Sequence, residues 1–269
     1  MQVICDHYLG APGELEVVQS LLVEAAPQWC TRLRVLRSAR EQVSVDASQP
    51  GALRAVVLEM ATRRGPTYQA LAERGGPGTE RAFGSAEVRG AGSELIVVVS
   101  VDERVVGSLG QATVLNNTVS LQVRRPKVAG RKGTDWSFEA FHALCDRLSP
   151  AWGWAGHPGE YWAKVMAEEP SVRAVGRDFG RYLPGVFWLN FSGRPYRQLI
   201  GDDRLGSAPA SHVALVDHGV LIGLGLEPTD WDTAEYAAAE QRARDHLGAS
   251  VFYAKAEPNR PTIAPQWDK

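Results

Sequence analysis

Hydrophobic and polar positions along the chain predict short elements of both kinds in mixed order. Gln2 to Tyr8 alternates as a first strand. Pro12 and Gly13 then introduce a segment with Val17, Leu21, Leu22 and Ala25 at helical spacing, which stops around Pro27. Arg32 to Leu36 reads either as a short strand or as a continuation of that helix, and Gln49-Pro50-Gly51 breaks whatever precedes it. A second helix carries Leu53, Val56, Val57, Met60 and Ala61 on one face, and a third is expected from Pro66 to Arg74. Residues 75–93 contain Gly75, Gly76, Gly78, Gly84, Gly90 and Gly92 with few apolar neighbours, and read as a long surface connection. Leu95 to Val101 and Thr118 to Val123 are expected strands of a hairpin, with Val105-Val106 between them.

The second half has the clearer periodicity. Asp135 is placed to cap a helix whose Phe138, Phe141, Leu144, Cys145 and Leu148 recur at three- and four-residue spacings, and Pro150 stops it. Tryptophans cluster around it and beyond, at 136, 152, 154, 162 and 188. Val186 to Phe191 reads as a buried strand, and Tyr196 to Leu205 as a short helix that Pro195 can start. Val213 to Val216 and Val220 to Leu224 flank Asp217-His218-Gly219, a tight hairpin turn. Asp232 and Glu235 have capping-box spacing before a last helix that ends in Leu247-Gly248. Val251 to Tyr253 is the expected final strand, and the Pro-rich tail after Ala256 a strap over the surface.

Because strands and helices do not alternate strictly, the pattern favours the α+β class: a mixed, largely antiparallel sheet with helices packed on it. Residues 1–269 are expected to form one such domain. A division into sub-halves 1–110 and 111–269, joined through the Gly-rich segment 75–93, stays open.

Composition sharpens this only in part. With 269 residues and 44% hydrophobic residues the chain can bury a core and is not disordered as a whole. Its longest aliphatic run, Leu95 to Val99, is five residues, against the roughly 20 that a membrane helix requires. Met1 to His7 lacks the basic start of a signal peptide, and the three cysteines are odd in number and far apart. These features predict a cytoplasmic protein with reduced thiols. Basic and acidic residues number 29 and 31, for a net charge of −2, so no overall field points to nucleic acid or membrane. The cluster Arg124, Arg125, Lys127, Arg131 and Lys132 fits a phosphate-binding edge, but fits a solvated loop better.

The search for reactive groups assigns no catalytic residue, metal or cofactor. The Gly-rich stretch has no lysine to end a phosphate loop, and in Gly223-Leu224-Gly225 the third glycine of a dinucleotide pattern falls on Pro228. Gly84-Ser85 lacks the second glycine of a nucleophile elbow. Cys5 with His7, and His142 with Cys145, are competent zinc ligands at unusual spacings and read more simply as core cysteines and satisfied histidines. His218 beside Asp217 could act as a base, yet sits in a turn sequence. If these groups, or His212 with His218, converged in a pocket, the alternative would be a metal-dependent hydrolase or small-molecule-binding protein.

The most distinctive run extends from Gly176 to Tyr196 and mixes arginines with aromatic residues around the expected central strand, a composition favoured at protein interfaces. Three features together resemble bacterial immunity proteins of polymorphic toxin systems. They are the strand Thr118 to Val123, the helix with Phe138 and Leu144 leading to Trp152, and the Gly185-Val186-Phe187-Trp188-Leu189-Asn190-Phe191 strand followed by Gly193 and the Tyr196 to Ile200 helix. The nearest groups are the immunity protein 52 family and related type VI secretion immunity proteins. The resemblance covers about residues 113–225, with an echo at Tyr8 to Gly13. It implies an α+β module that binds and neutralises a cognate toxin protein without chemistry of its own. Such a protein would dock through Tyr182, Arg194, Tyr196 and Arg197. For a basic toxin, the docking face would instead include Asp230, Asp232 and Glu235, within the acidic stretch Glu227 to Asp245.

Overall fold

A computed structural model describes residues 1–7, 9, 11–25, 32–36, 42–46, 49–62, 83–89, 95–102, 107–109, 112–114, 117–123, 127–128, 131–165, 180–257 and 260–267. The fold is α+β. The chain divides into two compact units, one of residues 2–105 with 116–148, the other of residues 149–269 with Met1 and 106–115. The strand and helix within residues 116–148 group with the N-terminal elements.

In the first unit the strands are β1 (Gln2–Cys5), β2 (Arg32–Leu36), β3 (Gln42–Asp46), β4 (Phe83–Arg89), β5 (Leu95–Asp102) and β8 (Asn117–Val123). They hydrogen-bond in the order β1-β8-β5-β4-β2-β3, every pair antiparallel. Leu95 pairs with Val123 and Ser100 with Thr118, as the hairpin expectation requires. Between these strands, however, Gly107–Leu109 and Ala112–Val114 (β6 and β7) pair with each other as a hairpin of their own. The first strand stops at Cys5, short of Tyr8. Arg32 to Leu36 is a strand, which resolves that ambiguity.

Residues 75–93 are not simply a connection, since Phe83 to Arg89 pairs along its whole length with β5. Ala86 and Val88 alternate with Glu87 and Arg89 there, a two-residue period that the surrounding glycines obscure. The helix expected at Pro66 to Arg74 lies outside the described residues.

Helices α1 (Glu14–Ala25), α2 (Ala52–Thr62) and α3 (Gly133–Leu148) complete this unit. Helix α3 starts two residues before Asp135, which is therefore a first-turn acid and not the cap. Its Phe141, Leu144, Cys145 and Leu148 are buried as the periodicity predicts. A buried glutamine joins two helices: Gln19 of α1 donates to the Gln49 carbonyl at 2.6 Å and accepts from the Leu53 amide of α2 at 2.9 Å. Lys127–Val128 (β9) and Arg131–Lys132 (β10) form a short ribbon, while Arg124 and Arg125 lie outside the described residues.

The second unit is built on four antiparallel strands in the order β11 (Trp152–Ala155), β12 (Leu189–Gly193), β14 (Gly219–Gly223) and β13 (His212–Val216). All residues of β11, β12 and β14 are buried, whereas β13 is mostly exposed or half-exposed. Helix α4 spans Pro158–Val165. The single helix expected over Tyr196 to Leu205 is two, α5 (Arg194–Ile200) and α6 (Asp202–Gly206). Gly201 separates them with φ +92°, a backbone conformation that side chains with a Cβ rarely adopt.

Helix α7 runs from Ala234 to Leu247 and ends at Gly248 as expected. Its cap is Thr233, whose hydroxyl accepts from the Tyr236 amide, and not Asp232. The capping box lies upstream, where Glu227 and Asp230 flank the 3-10 turn Pro228–Asp230. The final strand is absent: Ala249–Val251 is a second 3-10 turn, and Phe252 forms only an isolated parallel bridge to Leu183. The tail does strap this unit. Arg260 donates to the Ala249 and Phe252 carbonyls, and Trp267 donates from Nε1 to Gly180 O at 3.0 Å.

Candidate functional site: a buried ionic clamp beneath an acidic surface

Helices α4 and α7 meet through charge. Burial at Glu160 is nearly complete, with 1% exposure, and its Oε1 accepts from Lys164 Nζ at 2.6 Å and from the Tyr236 hydroxyl at 2.8 Å. Lys164 lies one helical turn after Glu160 and also reaches Glu240 Oε2 at 3.1 Å and the Val186 carbonyl at 2.5 Å. Its ammonium sits over the Phe187 ring, 4.4 Å from the centroid. Aromatic packing encloses the group: Trp154 stacks on Tyr161 and on Phe187, each at 4.7 Å between centroids.

Two glycines make room for the carboxylates. A Cβ on Gly156 would stand 2.5 Å from Glu160 Oε2, and one on Gly185 would stand 2.9 Å from Glu240 Oε1. Neither oxygen has a hydrogen-bond partner among the described residues, although Arg244 Nη1 stands 3.8 Å from Glu240 Oε1 as an ion pair.

Burial raises the pKa of Glu160, and the attraction of Lys164 offsets only part of that. Burial, and then the Glu160 charge, push the Tyr236 hydroxyl well above its usual range. Arg244, one turn after Glu240, has its pKa lowered by burial and donates to the Tyr253 carbonyl at 3.1 Å. Chemically the arrangement is a clamp. Three acceptors, one on each of Glu160, Val186 and Glu240, surround Lys164 Nζ, as many as an ammonium has protons to donate.

Above the clamp the surface is acidic. Glu227, Asp232, Glu235 and Asp245 are exposed and Asp230 half-exposed; from the same stretch Arg242 reaches solvent, while Arg244 turns inward. Asp232 and Glu235 form no ion pair among the described residues. Beside them Trp231 stacks on His157 with centroids 5.9 Å apart and planes 9° from parallel. His157 in turn caps α4, its Nδ1 accepting from the Gly159 amide at 3.1 Å, which requires Nδ1 to be unprotonated.

The residues expected to dock a partner separate into two groups. Tyr196 is fully buried, so it belongs to the core and offers no surface, a correction that follows from its position behind β12, edge-on to Trp267. Tyr182 is half-buried against Tyr253 at 5.2 Å. Arg194 is exposed, and Arg197 is held in a two-point pair with Asp202 at 2.5 and 2.8 Å. Asp230, Asp232 and Glu235 lie together along the lead-in and first turn of α7.

Cys5 and Cys145 are buried free thiols raised by desolvation, and His7 instead pairs with Asp6 and Glu14, which raise its pKa. Among the described residues no three His, Cys, Asp or Glu side chains are grouped to hold a metal ion. His212 and His218 are both exposed, at opposite ends of β13 and its turn.

The clamp itself escaped sequence reasoning, although Glu160 with Lys164 and Glu240 with Arg244 are both four residues apart. What joins the two pairs is the packing of α4 on α7, which no local spacing reveals. Among the described residues no helix is long and apolar enough to cross a membrane. No protein-family model, curated protein or solved structure matches the chain.

Proposed function

We propose that the protein is a non-catalytic, cytoplasmic immunity protein that binds a cognate bacterial toxin and masks its working surface. The observation that carries this reading is the acidic face of Asp230, Asp232 and Glu235 with Trp231 at its centre, set on a helix that a buried ionic clamp holds in place. An inhibitor of this kind needs a rigid patch, an aromatic anchor and charge opposite to its target, and no reactive group. The partner best suited to this face is a toxin with a basic active surface, such as a nuclease. Arg194 and Tyr182 form a second, weaker candidate contact.

The test is co-expression of the protein with the product of each neighbouring gene that kills its host, together with a pull-down of the purified pair. Rescue and a complex are expected for one neighbour. Asp232→Asn combined with Glu235→Gln is expected to weaken that complex and to flatten its salt dependence, since surface charges act mainly on association rate. A screen in which no toxic neighbour is bound or rescued overturns the reading.

A further inference from the structure

The geometry points to the open edge of β13 as a docking strand for a second copy of this chain, through an antiparallel two-fold pairing centred on Ala214. Among the described residues β13 ends its four-stranded order, with its partner β14 on one side. Val216 pairs with Gly219 across the two-residue turn Asp217-His218. In such a turn the flanking residues exchange hydrogen bonds, so His212, Ala214 and Val216 point their backbone groups at β14. By alternation, the N–H and C=O of Val213 and Leu215 point away from the sheet.

Three features favour a second copy as the occupant. The first is phase. With Ala214 opposite Ala214 of the partner subunit, Val213 of one chain faces Leu215 of the partner subunit, and both are outward-bonding residues. The two-fold therefore forms two complete hydrogen-bonded pairs. The second is charge. His212-Val213-Ala214-Leu215-Val216 contains no acid, lysine, arginine or proline, so the strand itself carries none of the charged or proline residues that block edge pairing, and no like charges meet. The third is the side chain of Leu215, which is 61% exposed on a strand whose neighbour β14 is fully buried. In the pairing it would cover Val213 of the partner subunit on the same face.

Sedimentation of the full chain over a rising concentration series is expected to show mass moving from one chain toward two. Leu215→Lys is expected to hold it at one chain; the position is exposed, so the fold tolerates the change. Ala214→Cys supplies the register test. Across the two-fold the Cα atoms would lie about 4.5 Å apart, within disulfide reach, whereas Val216→Cys would face His212 of the partner subunit and stay roughly four residues from its own copy. Mild oxidation is therefore expected to cross-link the first variant and not the second. A chain that stays single at every concentration, a dimer unaffected by Leu215→Lys, or equal cross-linking at both positions each overturns the proposal.

Discussion

Glu160 and Glu240 on one side, and Asp232 and Glu235 on the other, are carboxylates on the same pair of helices and their lead-in, yet they do opposite work. The first two are drawn inward around Lys164 and hold α4 to α7. The second two are exposed and form no ion pair among the described residues. An acid's sequence neighbourhood does not tell which it becomes. The stretch Glu227 to Asp245 counts six acids, but Glu240 is spent internally and contributes nothing to an outside charge.

The contrast breaks most sharply at the lysine. Lys164→Ala leaves the buried Glu160 and the partly buried Glu240 without their shared cation, and unfolding by urea is expected to show a loss of about 3–5 kcal/mol. Tyr236→Phe removes one donor from Glu160 Oε1 while keeping the ring in place, with an expected loss of about 1–3 kcal/mol by the same measurement.

Acidity sharpens the comparison from another direction. Glu160 is raised above its ordinary 4.5, so as pH falls the folded state takes up this proton before the unfolded chain does. Its contribution to stability is present in full below about pH 4.5 and is lost as pH rises through the folded value. Measured against Glu160→Gln, the native chain is therefore expected to compare best in acid and to lose ground toward neutral pH. A stability difference that does not vary with pH would show that Glu160 keeps an ordinary pKa.

The smallest effect is expected at the surface. Asp232→Asn with Glu235→Gln should change stability by no more than about 0.5 kcal/mol, because both side chains are exposed and neither is paired among the described residues. A larger loss would place these acids in the clamp's class.

Much of the fold was legible because it rests on local periodicity. The α3 face of Phe141, Leu144 and Leu148, the Asp217-His218 turn and the Gly248 stop are set by residues a few positions apart. Local pattern misleads where a neighbour far along the chain decides. Phe83 to Arg89 is a strand because β5 pairs with it, and Val251 to Tyr253 is not because only Phe252 finds a bridge. Tyr196 shows the same limit within the candidate site: an aromatic residue between arginines suits an interface, and only packing shows that it is buried.

By itself the sequence determined the α+β class, most element positions and the acidic character of the segment leading into the last helix, since propensity, alternation and charge count act over short distances. The tertiary structure decided which charges are neutralised, which aromatic residues remain on the surface and which strand ends the order among the described residues. Burial and pairing depend on groups far apart in the chain, such as Glu160 and Tyr236, 76 residues from each other yet joined by one hydrogen bond.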